Sequence, residues 1–258
     1  MRHSTIAVTD EAGVRIITLN RPEVMNALNR PLRLELTDAL IRAGREARCV
    51  VLTGTGRAFC SGQDLSDAPD GGALDFEAVL RDEYEPLLAA ITDCPAPTIA
   101  AVNGAAAGAG ANLALAADVV IAADSASFIQ AFTRIGLMPD AGGTFWLPRQ
   151  IGMARAMGAM LFADRITARQ AADWGMIWEA VADDAFDAHW RARAAHLAAG
   201  PTLAYRAVKT ALRSGWGRDL PGQLAHEAAG QGACGQSGDF REGVAAFLEK
   251  RAPAFRGD

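Results

Sequence analysis

Two stretches of small residues lie where strand-like sequence gives way to helix-like sequence, and both could do chemistry. They are Ser61-Gly62-Gln63-Asp64 and Gly108-Ala109-Gly110-Ala111-Asn112. At such junctions the first backbone N–H groups have no intrahelical partner and can point outward. Two N–H groups aimed at one point form an oxyanion hole, which stabilises negative charge on a thioester or ester oxygen. Because Asp140 stands in a third turn of small residues, the pattern predicts an enzyme that removes a proton next to a carbonyl.

The predicted oxyanion donors are the N–H groups of Gln63 and Ala109. Residues 104–110 are all Gly or Ala, and such a run lets another group approach the backbone closely. The structural alternatives are a simple bend at Gly62 and a tight turn that only packs a helix on a sheet. A dinucleotide-binding turn is disfavoured, because Leu113 stands where its third glycine should be.

Asp140 is the predicted proton shuttle. It lies in an apolar, glycine-rich turn, and burial there would raise its pKa towards that of a useful base. Capping of the following helix is the alternative role. From their positions Asp64, Asp118 and Asp124 are interpreted as structural, with Asp64 forming its turn. Cys60 is interpreted as a packing residue, because no neighbour in sequence would activate its thiol.

The composition of the chain narrows its class. Of its 258 residues 50% are hydrophobic and 21% are charged, with a net charge of −5. These values predict a well-packed core and no basic surface for nucleic acid. The longest apolar runs fall short of the ~20 residues of a membrane helix, and we recognise no signal peptide at the N-terminus. Widely separated cysteines indicate reduced thiols in the cytoplasm, and no metal-ligand spacing is present.

The hydrophobic pattern predicts an α/β body followed by a helical C-terminal part. Asn29 is the expected cap of the first helix, and residues 66–72 are expected to form a mobile loop. From residue 144 onward the pattern is helical, apart from one strand at residues 176–181. In the first half, strands are predicted at residues 14–19, 49–53, 98–102 and 118–123, and helices at residues 31–47, 74–91 and 108–117.

Four segments of the chain resemble the crotonase superfamily, also called the enoyl-CoA hydratase/isomerase family. The resemblance extends from about Val14 to Phe255 and implies a spiral of ββα units. Residues 1–195 would form the spiral core with the acyl-CoA site, and residues 196–258 a helical region that assembles a homotrimer or a dimer of trimers. The segments are Leu19-Asn20-Arg21-Pro22, residues 57–65 (RAFCSGQDL), Ala101-Val102-Asn103-Gly104 and residues 136–144 (GLMPDAGGT).

The resemblance also implies which residues contact an acyl-CoA thioester. Coenzyme A is part of that substrate, so no separate cofactor is expected. Gln63 and Ala109 match the family's oxyanion donors, and Asp140 stands where isomerase-type members have an aspartate. The expected substrate contacts are Ser61, Gly62, Asp64, Leu65, Gly110, Asn112, Phe132 and Gly143.

Departures from the family pattern favour one reaction. Hydratases of the family use two glutamates to hold and activate water, whereas this chain has Asn112 and Phe132 at those positions. We therefore predict an acyl-CoA isomerase that shifts a double bond, or converts a ring epoxide to an oxepin, through an enolate. The alternatives are an enoyl-CoA hydratase and a non-catalytic acyl-CoA binding protein.

Four segments in the later part of the chain resemble one subgroup of this family. Residues 138–144, 154–158, 174–178 and 241–248 resemble the 1,2-epoxyphenylacetyl-CoA isomerases of phenylacetate breakdown. Phe132, Phe145 and Trp146 are therefore candidates to line an aromatic acyl pocket. Ordinary core packing is the alternative role for each of these aromatic side chains.

Overall fold

The chain adds strands alternately to two sheets and places helices between and after them. The computed structural model describes residues 3–67 and 74–258. Its strands are β1 (Ile6–Glu11), β2 (Val14–Leu19), β3 (Cys49–Gly54), β4 (Ala58–Cys60), β5 (Thr98–Val102), β6 (Ala105–Ala107), β7 (Val119–Ala123), β8 (Ser127–Ile129), β9 (Ile166–Thr167) and β10 (Glu179–Val181). Its α-helices are α1 (Arg30–Glu46), α2 (Phe76–Val79), α3 (Glu85–Thr92), α4 (Ala109–Leu115), α5 (Gly143–Ile151), α6 (Met153–Phe162), α7 (Ala168–Asp173), α8 (Asp183–Ala198), α9 (Thr202–Gly215), α10 (Leu220–Gly235) and α11 (Gly238–Glu249). A π-helical segment, Leu80–Tyr84, joins α2 to α3.

The order of strands in the sheets describes a spiral. The larger sheet has the order β1-β2-β3-β5-β7-β10 and the smaller one β4-β6-β8-β9. The successive pairs β3–β4, β5–β6 and β7–β8 each give one strand to each sheet, and strands from consecutive turns pair in parallel. This arrangement confirms the predicted α/β spiral of ββα units followed by C-terminal helices.

Helix α1 shows how local sequence fixes an element of the spiral. The Asn29 side chain accepts a hydrogen bond from the Leu32 N–H at 3.1 Å, and Pro31 occupies the first turn, where its missing N–H costs nothing. The helix buries Leu32, Leu36 and Leu40, which recur at the spacing of one helical face. That face packs against β1, β2 and β3.

The strands and helices predicted in the first half are confirmed to within about two residues at most ends, but the smaller sheet was missed. Its strands β4, β6 and β8 have three residues each, too few to show an alternating pattern. The expectation of a single strand at residues 176–181 is wrong, because β9 is a second strand and β10 begins only at Glu179.

The C-terminal helices begin later than the proposed domain division. Helix α8 runs unbroken through residues 195 and 196 and contacts β2, β3 and β7 of the larger sheet. The structure therefore places the turn between the sheet-bound helix and α9 at residues 199–201. The predicted loop at residues 66–72 lies mostly outside the described residues. Within the described ranges no helix has the length and hydropathy needed to cross a membrane.

Gly110 marks a close approach between α4 and strand β4 of the smaller sheet. A methyl group added there would lie 2.7 Å from the Sγ atom of Cys60 and closer still to the Cys60 carbonyl oxygen. Real side chains essentially never come this close to backbone, so α4 can lie on β4 only because residue 110 is glycine.

Gly110→Ala should therefore lower the free energy of unfolding by about 3 kcal/mol, because the clash involves backbone that cannot move aside. Gly158→Ala in α6 is the matched control, since its added methyl group meets nothing within 4 Å. Alanine should stabilise that helix by about 0.5–1 kcal/mol. Denaturant unfolding followed by circular dichroism measures both changes, and equal effects would contradict the close approach.

Candidate active site

The first turn, residues 61–64, runs alongside the segment that precedes α1. The Leu28 N–H donates to the Gly62 carbonyl at 2.8 Å, and the Leu28 carbonyl accepts from the Asp64 N–H at 3.2 Å. These bonds form a one-residue parallel bridge between Leu28 and Gln63. Since a bridged residue directs its own N–H to the opposite edge, the N–H of Gln63 points away from Leu28. It has no hydrogen-bond acceptor within the described ranges.

The second turn brings Ala109 next to the first. Ala109 is the first residue of α4, and its N–H also has no acceptor among residues 3–67 and 74–258. Gly62 has a φ of 93°. A methyl group on Gly62 would lie 2.8 Å from the Ala107 carbonyl oxygen and 3.4 Å from the Ala109 nitrogen. The structure thus brings the two predicted donors close together with both N–H groups unpaired.

Asp64 is committed to other groups of the protein. Its carboxylate accepts from Arg21 at 2.8 Å and from the Ser66 hydroxyl at 2.6 Å. Burial opposes ionisation, but the bonds from Ser66 and Arg21 outweigh it and lower the pKa of Asp64. Both carboxylate oxygens are therefore occupied, and the structure gives Asp64 the task of shaping the turn rather than the predicted contact with substrate.

The other predicted substrate contacts on these turns differ in whether they have a group available to a ligand. The Ser61 hydroxyl donates to the Val24 carbonyl at 3.2 Å. Gly110 packs directly on Cys60 and has no side chain to offer. Leu65 is 57% exposed at the end of the first turn, so its side chain is available to a ligand.

Asn112 has a role that the sequence did not indicate. Its side chain is fully buried, and its Nδ2 donates to the Asp140 carbonyl at 2.8 Å. Its Oδ1 accepts from Gln130 Nε2 at 2.8 Å, and a methyl group on Gly143 would collide with the same amide. The predicted contact of Asn112 with substrate is therefore replaced by a structural one, which ties the Asp140 turn to α4.

The Asp140 turn ends in two residues with left-handed backbone. Ala141 has a φ of 47° and Gly142 a φ of 80°, after which α5 begins with the Gly143 N–H donating to the Asp140 carbonyl at 2.9 Å. An alanine at positive φ is strained, and such strain is concentrated at functional sites.

The Asp140 carboxyl group is an unpaired acid in a largely buried position. Its Oδ1 atom is buried and has no hydrogen-bond partner within the described part of the chain. Burial raises the pKa of Asp140 from 3.8 to about 6. A carboxylate with a raised pKa and no structural partner is typical of a catalytic base.

The three aromatic candidates do not share one pocket. Phe132 is buried and its ring lies under Gly108, where an added methyl group would be 3.7 Å away. Phe145 and Trp146, whose ring centroids are 4.7 Å apart, line a separate cavity that includes Trp216 but not Phe132. The hypothesis of a single aromatic acyl pocket formed by Phe132, Phe145 and Trp146 is therefore wrong.

Arg33 and Tyr84 contact Gln63 but were not predicted from the sequence. The side-chain oxygen of Gln63 accepts from Arg33 Nη1 at 3.0 Å and from the Tyr84 hydroxyl at 2.8 Å. A signal was present for one of them, because Arg33 stands on the apolar face of α1 between Leu32 and Leu36. An arginine at such a position is seldom buried without partners.

The Cys60 thiol is buried and bonded to the main chain. Burial raises the pKa of Cys60 to about 12, and its thiol donates to the Asn26 carbonyl at 3.2 Å. The thiol therefore stays protonated at neutral pH and acts as a packing group. Residues 3–67 and 74–258 contain no group of three or more His, Cys, Asp or Glu side chains placed to hold a metal ion.

Residues 9–258 match the family described as Enoyl-CoA hydratase/isomerase. A probable enoyl-CoA hydratase of Rhodobacter capsulatus is 67% identical over 257 residues, and the match covers 100% of each chain to the nearest per cent. The 1,2-epoxyphenylacetyl-CoA isomerase of Escherichia coli is 46% identical over 252 residues, or 96% of each chain. A crystal structure of an enoyl-CoA hydratase from Bacillus anthracis has a TM-score of 0.91 at 34% identity and covers 99% of this chain and 100% of its own.

This chain belongs to the enoyl-CoA hydratase/isomerase family and is an enzyme of that family, whose members act on acyl-CoA thioesters. Of the four segments that resemble the family, residues 57–65 contain the first turn and residues 136–144 contain Asp140, whose turn is bonded to α4 through Asn112. The family alone does not decide between hydration and isomerisation, since one fold hosts several reactions.

The raised pKa of Asp140 makes a prediction about stability. In the unfolded chain Asp140 ionises near 3.8 and in the folded protein near 6, so between these values the folded state holds more protons. The free energy of unfolding therefore falls as pH rises from about 4 to 6, and this loss persists above pH 6.

Asp140→Asn removes the ionisable group. At pH 8 it should raise the free energy of unfolding by on the order of 2 kcal/mol, and at pH 4 it should change it little. Urea unfolding at both pH values measures the difference. Asp164→Asn, at an exposed site, is the control that should change neither. A pH-independent effect of the Asp140 substitution would contradict the burial of an ionised carboxylate.

Proposed function

We propose that this protein is an acyl-CoA isomerase that moves a proton through an enolate. In this proposal the Asp140 carboxylate removes a proton near the thioester and returns it to another carbon. The observation that carries it is a buried carboxylate oxygen without a partner, in a turn fixed to the same helix that presents a free N–H. A base and an oxyanion site are the two elements that such a proton shift needs.

The oxyanion site would consist of the N–H groups of Gln63 and Ala109. Both lack acceptors within the described residues, so a thioester oxygen could bond to them without displacing a protein group. Each such donor is typically worth about 3 kcal/mol of stabilisation of the developing charge. Ser61, Gly62, Leu65, Gly110, Phe132 and Gly143 are the proposed surroundings of the acyl group.

The choice of isomerisation over hydration rests on Asn112 and Phe132. Hydration requires groups that take a proton from water and give one to carbon. At the positions of the family's two glutamates, the amide of Asn112 is occupied by Gln130 and Asp140, and Phe132 presents an apolar ring. Asp140 would be left as the single carboxylate of the centre, which suffices for a proton shift on one face of the substrate.

The chemical class of the substrate is proposed from similarity. The relative from Escherichia coli is named a 1,2-epoxyphenylacetyl-CoA isomerase, which supports either an epoxide-to-oxepin conversion or a shift of an enoyl double bond. Phenylacetate or fatty acid breakdown would use these reactions. Coenzyme A would enter as part of the substrate with no further cofactor, and a cytoplasmic location stays a prediction.

Enoyl-CoA hydration is the second candidate. The relative that shares 67% of its residues with this chain is named a probable enoyl-CoA hydratase, and this name supports addition of water to a 2-enoyl-CoA equally well. Crotonyl-CoA distinguishes the two reactions, since hydration removes the absorbance of its conjugated thioester. Isomerase action predicts hydration slower than isomerisation by at least about 100-fold.

Asp140→Asn should reduce isomerisation of a 3-enoyl-CoA by about 1,000-fold or more, because the amide cannot accept the proton. The dissociation constant for a saturated acyl-CoA should change little. Spectrophotometric turnover and isothermal titration calorimetry measure the two quantities, and Asp164→Asn is the control with wild-type values. Unchanged turnover in Asp140→Asn would remove this residue from the mechanism.

We also propose that the protein assembles as a homotrimer or a dimer of trimers through its C-terminal helices. Val208 and Leu212 on α9 and Trp216 directly after its last residue are spaced four residues apart and are 56%, 69% and 67% exposed. Such a stripe of large apolar side chains on one helical face is typical of a surface covered by another subunit.

Leu212→Asp should therefore lower the mass measured by size-exclusion chromatography with light scattering from three or six chains to one. The reason is that a buried aspartate without a partner is strongly unfavourable. Leu34→Asp on α1, a position 45% exposed, is the matched control and should leave the assembly intact. A wild-type protein of one chain mass would refute the proposal.

A further inference from the structure

Arg33 is a buried arginine beneath the Gln63 turn. Its side chain is 1% exposed, and a buried guanidinium requires charged partners and filled hydrogen bonds. Nε donates to Glu83 at 2.8 Å and Nη2 to Asp67 at 3.0 Å. These two carboxylates balance the charge of the guanidinium through Nε and Nη2. The Nη1 group is therefore not needed for charge compensation and can bond to other acceptors.

The Nη1 group of Arg33 contacts the Gln63 turn in two ways. It donates to the Gln63 side-chain oxygen at 3.0 Å and to the Leu28 carbonyl at 2.5 Å. Leu28 is the residue that bridges Gln63 through the main chain. Arg33 therefore holds both the side chain of Gln63 and the strand against which its backbone is registered.

Tyr84 contacts the same oxygen from the other side. It is 3% exposed and ends the π-helical segment Leu80–Tyr84, a type of irregularity that often marks functional sites. Its hydroxyl donates to Gln63 Oε1 at 2.8 Å, and its ring lies 5.3 Å from the Arg33 guanidinium carbon. Burial raises the pKa of Tyr84 even though the neighbouring charge of Arg33 opposes this, so the phenol stays a neutral donor.

Every polar atom of the Gln63 side chain is used within the protein. Its oxygen has two lone pairs, which Arg33 and Tyr84 fill, and its Nε2 donates to the Asp64 carbonyl at 3.0 Å. The oxygen therefore has nothing left to offer a ligand and one N–H of the amide is already bonded. The main-chain N–H of Gln63, in contrast, has no acceptor within the described residues. This division indicates that the side chain holds Gln63 in place and that its main-chain N–H is the group that can bond to a ligand.

We propose that Arg33 and Tyr84 are positioning residues that fix the peptide plane of Gln63, and thereby aim its N–H at the thioester oxygen. This inference rests on the proposed function, because it assigns Gln63 to the oxyanion site. The hydrogen bonds to the Gln63 side chain restrict rotation of the adjoining peptide. This matters because an oxyanion donor is effective only when its direction is fixed in advance.

The test compares Tyr84→Phe and Arg33→Met with matched controls. Tyr205→Phe removes the hydroxyl of the chain's other tyrosine, and Arg48→Met removes a partly buried arginine that bonds Thr202, Gly200 and Phe255. The readout is the infrared carbonyl stretch of bound hexanoyl-CoA carrying ¹³C at the thioester carbon, together with kcat and KM for a 3-enoyl-CoA. The carbonyl frequency reports hydrogen bonding to the thioester oxygen and does not require turnover.

In the wild-type protein the bound carbonyl band should lie below that of free hexanoyl-CoA. In Tyr84→Phe the band should move back towards the free value and kcat should fall about tenfold, with KM within about twofold. Arg33→Met should lower kcat by about 100-fold, the effect of a misplacement near 1 Å. Both controls should keep the wild-type band and kcat, and Tyr84→Phe carries the test alone should Arg33→Met not fold.

Two outcomes separate this inference from the proposed function. A shifted band in the wild type that Tyr84→Phe leaves in place would overturn the positioning role while the proposed function stands. A wild-type band equal to that of free hexanoyl-CoA, or no binding of that thioester, would overturn the oxyanion site itself. An equal change in Tyr205→Phe and Tyr84→Phe would show a general loss of packing and would also overturn the positioning role.

Discussion

The approach of Gly62 to the start of α4 is the contact on which the candidate site depends. Two turns from different coils of the spiral meet there with backbone against backbone. A methyl group on Gly62 would fall 2.8 Å from the Ala107 carbonyl oxygen, and the residue has a φ of 93°, which only glycine adopts readily. Space and conformation both exclude a side chain, so the two turns can meet only at a glycine.

Within the described residues, the polar groups assigned to the candidate site have no hydrogen-bond partners, whereas the polar side chains next to them are hydrogen-bonded. The N–H groups of Gln63 and Ala109 and one carboxyl oxygen of Asp140 lack partners within the described residues. A buried unsatisfied group costs about 1–3 kcal/mol, so the folded protein is less stable than the same fold with these groups filled. The side-chain amides of Asn112 and Gln63 each use both the oxygen and the nitrogen in hydrogen bonds and keep the unpaired groups in position. This is the arrangement that electrostatic preorganisation requires.

The turns of the site could be predicted from sequence because their signals are local. Small residues after apolar runs indicated Gln63 and Ala109, and an acid among glycines indicated Asp140. The contacts of Arg33 and Tyr84 with Gln63 span 30 and 21 residues of sequence, and no local pattern encodes them.

Asn112 shows that the local sequence does not determine the direction in which a single side chain points. Its type and position suggested a group facing substrate, but the direction of its side chain is decided by how α4 packs on the Asp140 turn. Phe145 and Trp146 were grouped with Phe132 because the resemblance implied an aromatic acyl group. Helix α5 directs both of them to a different cavity, which only the packing of that helix determines.

Helix α4 is shared by both parts of the proposed site. Its first residue, Ala109, presents a free N–H, and the side chain of its fourth residue, Asn112, bonds to the Asp140 backbone at 2.8 Å. Through this bond, a displacement of the short helix would shift the donor and the backbone next to the acid in the same direction. A substitution that moved α4 would therefore disturb the proposed donor and the proposed base at the same time.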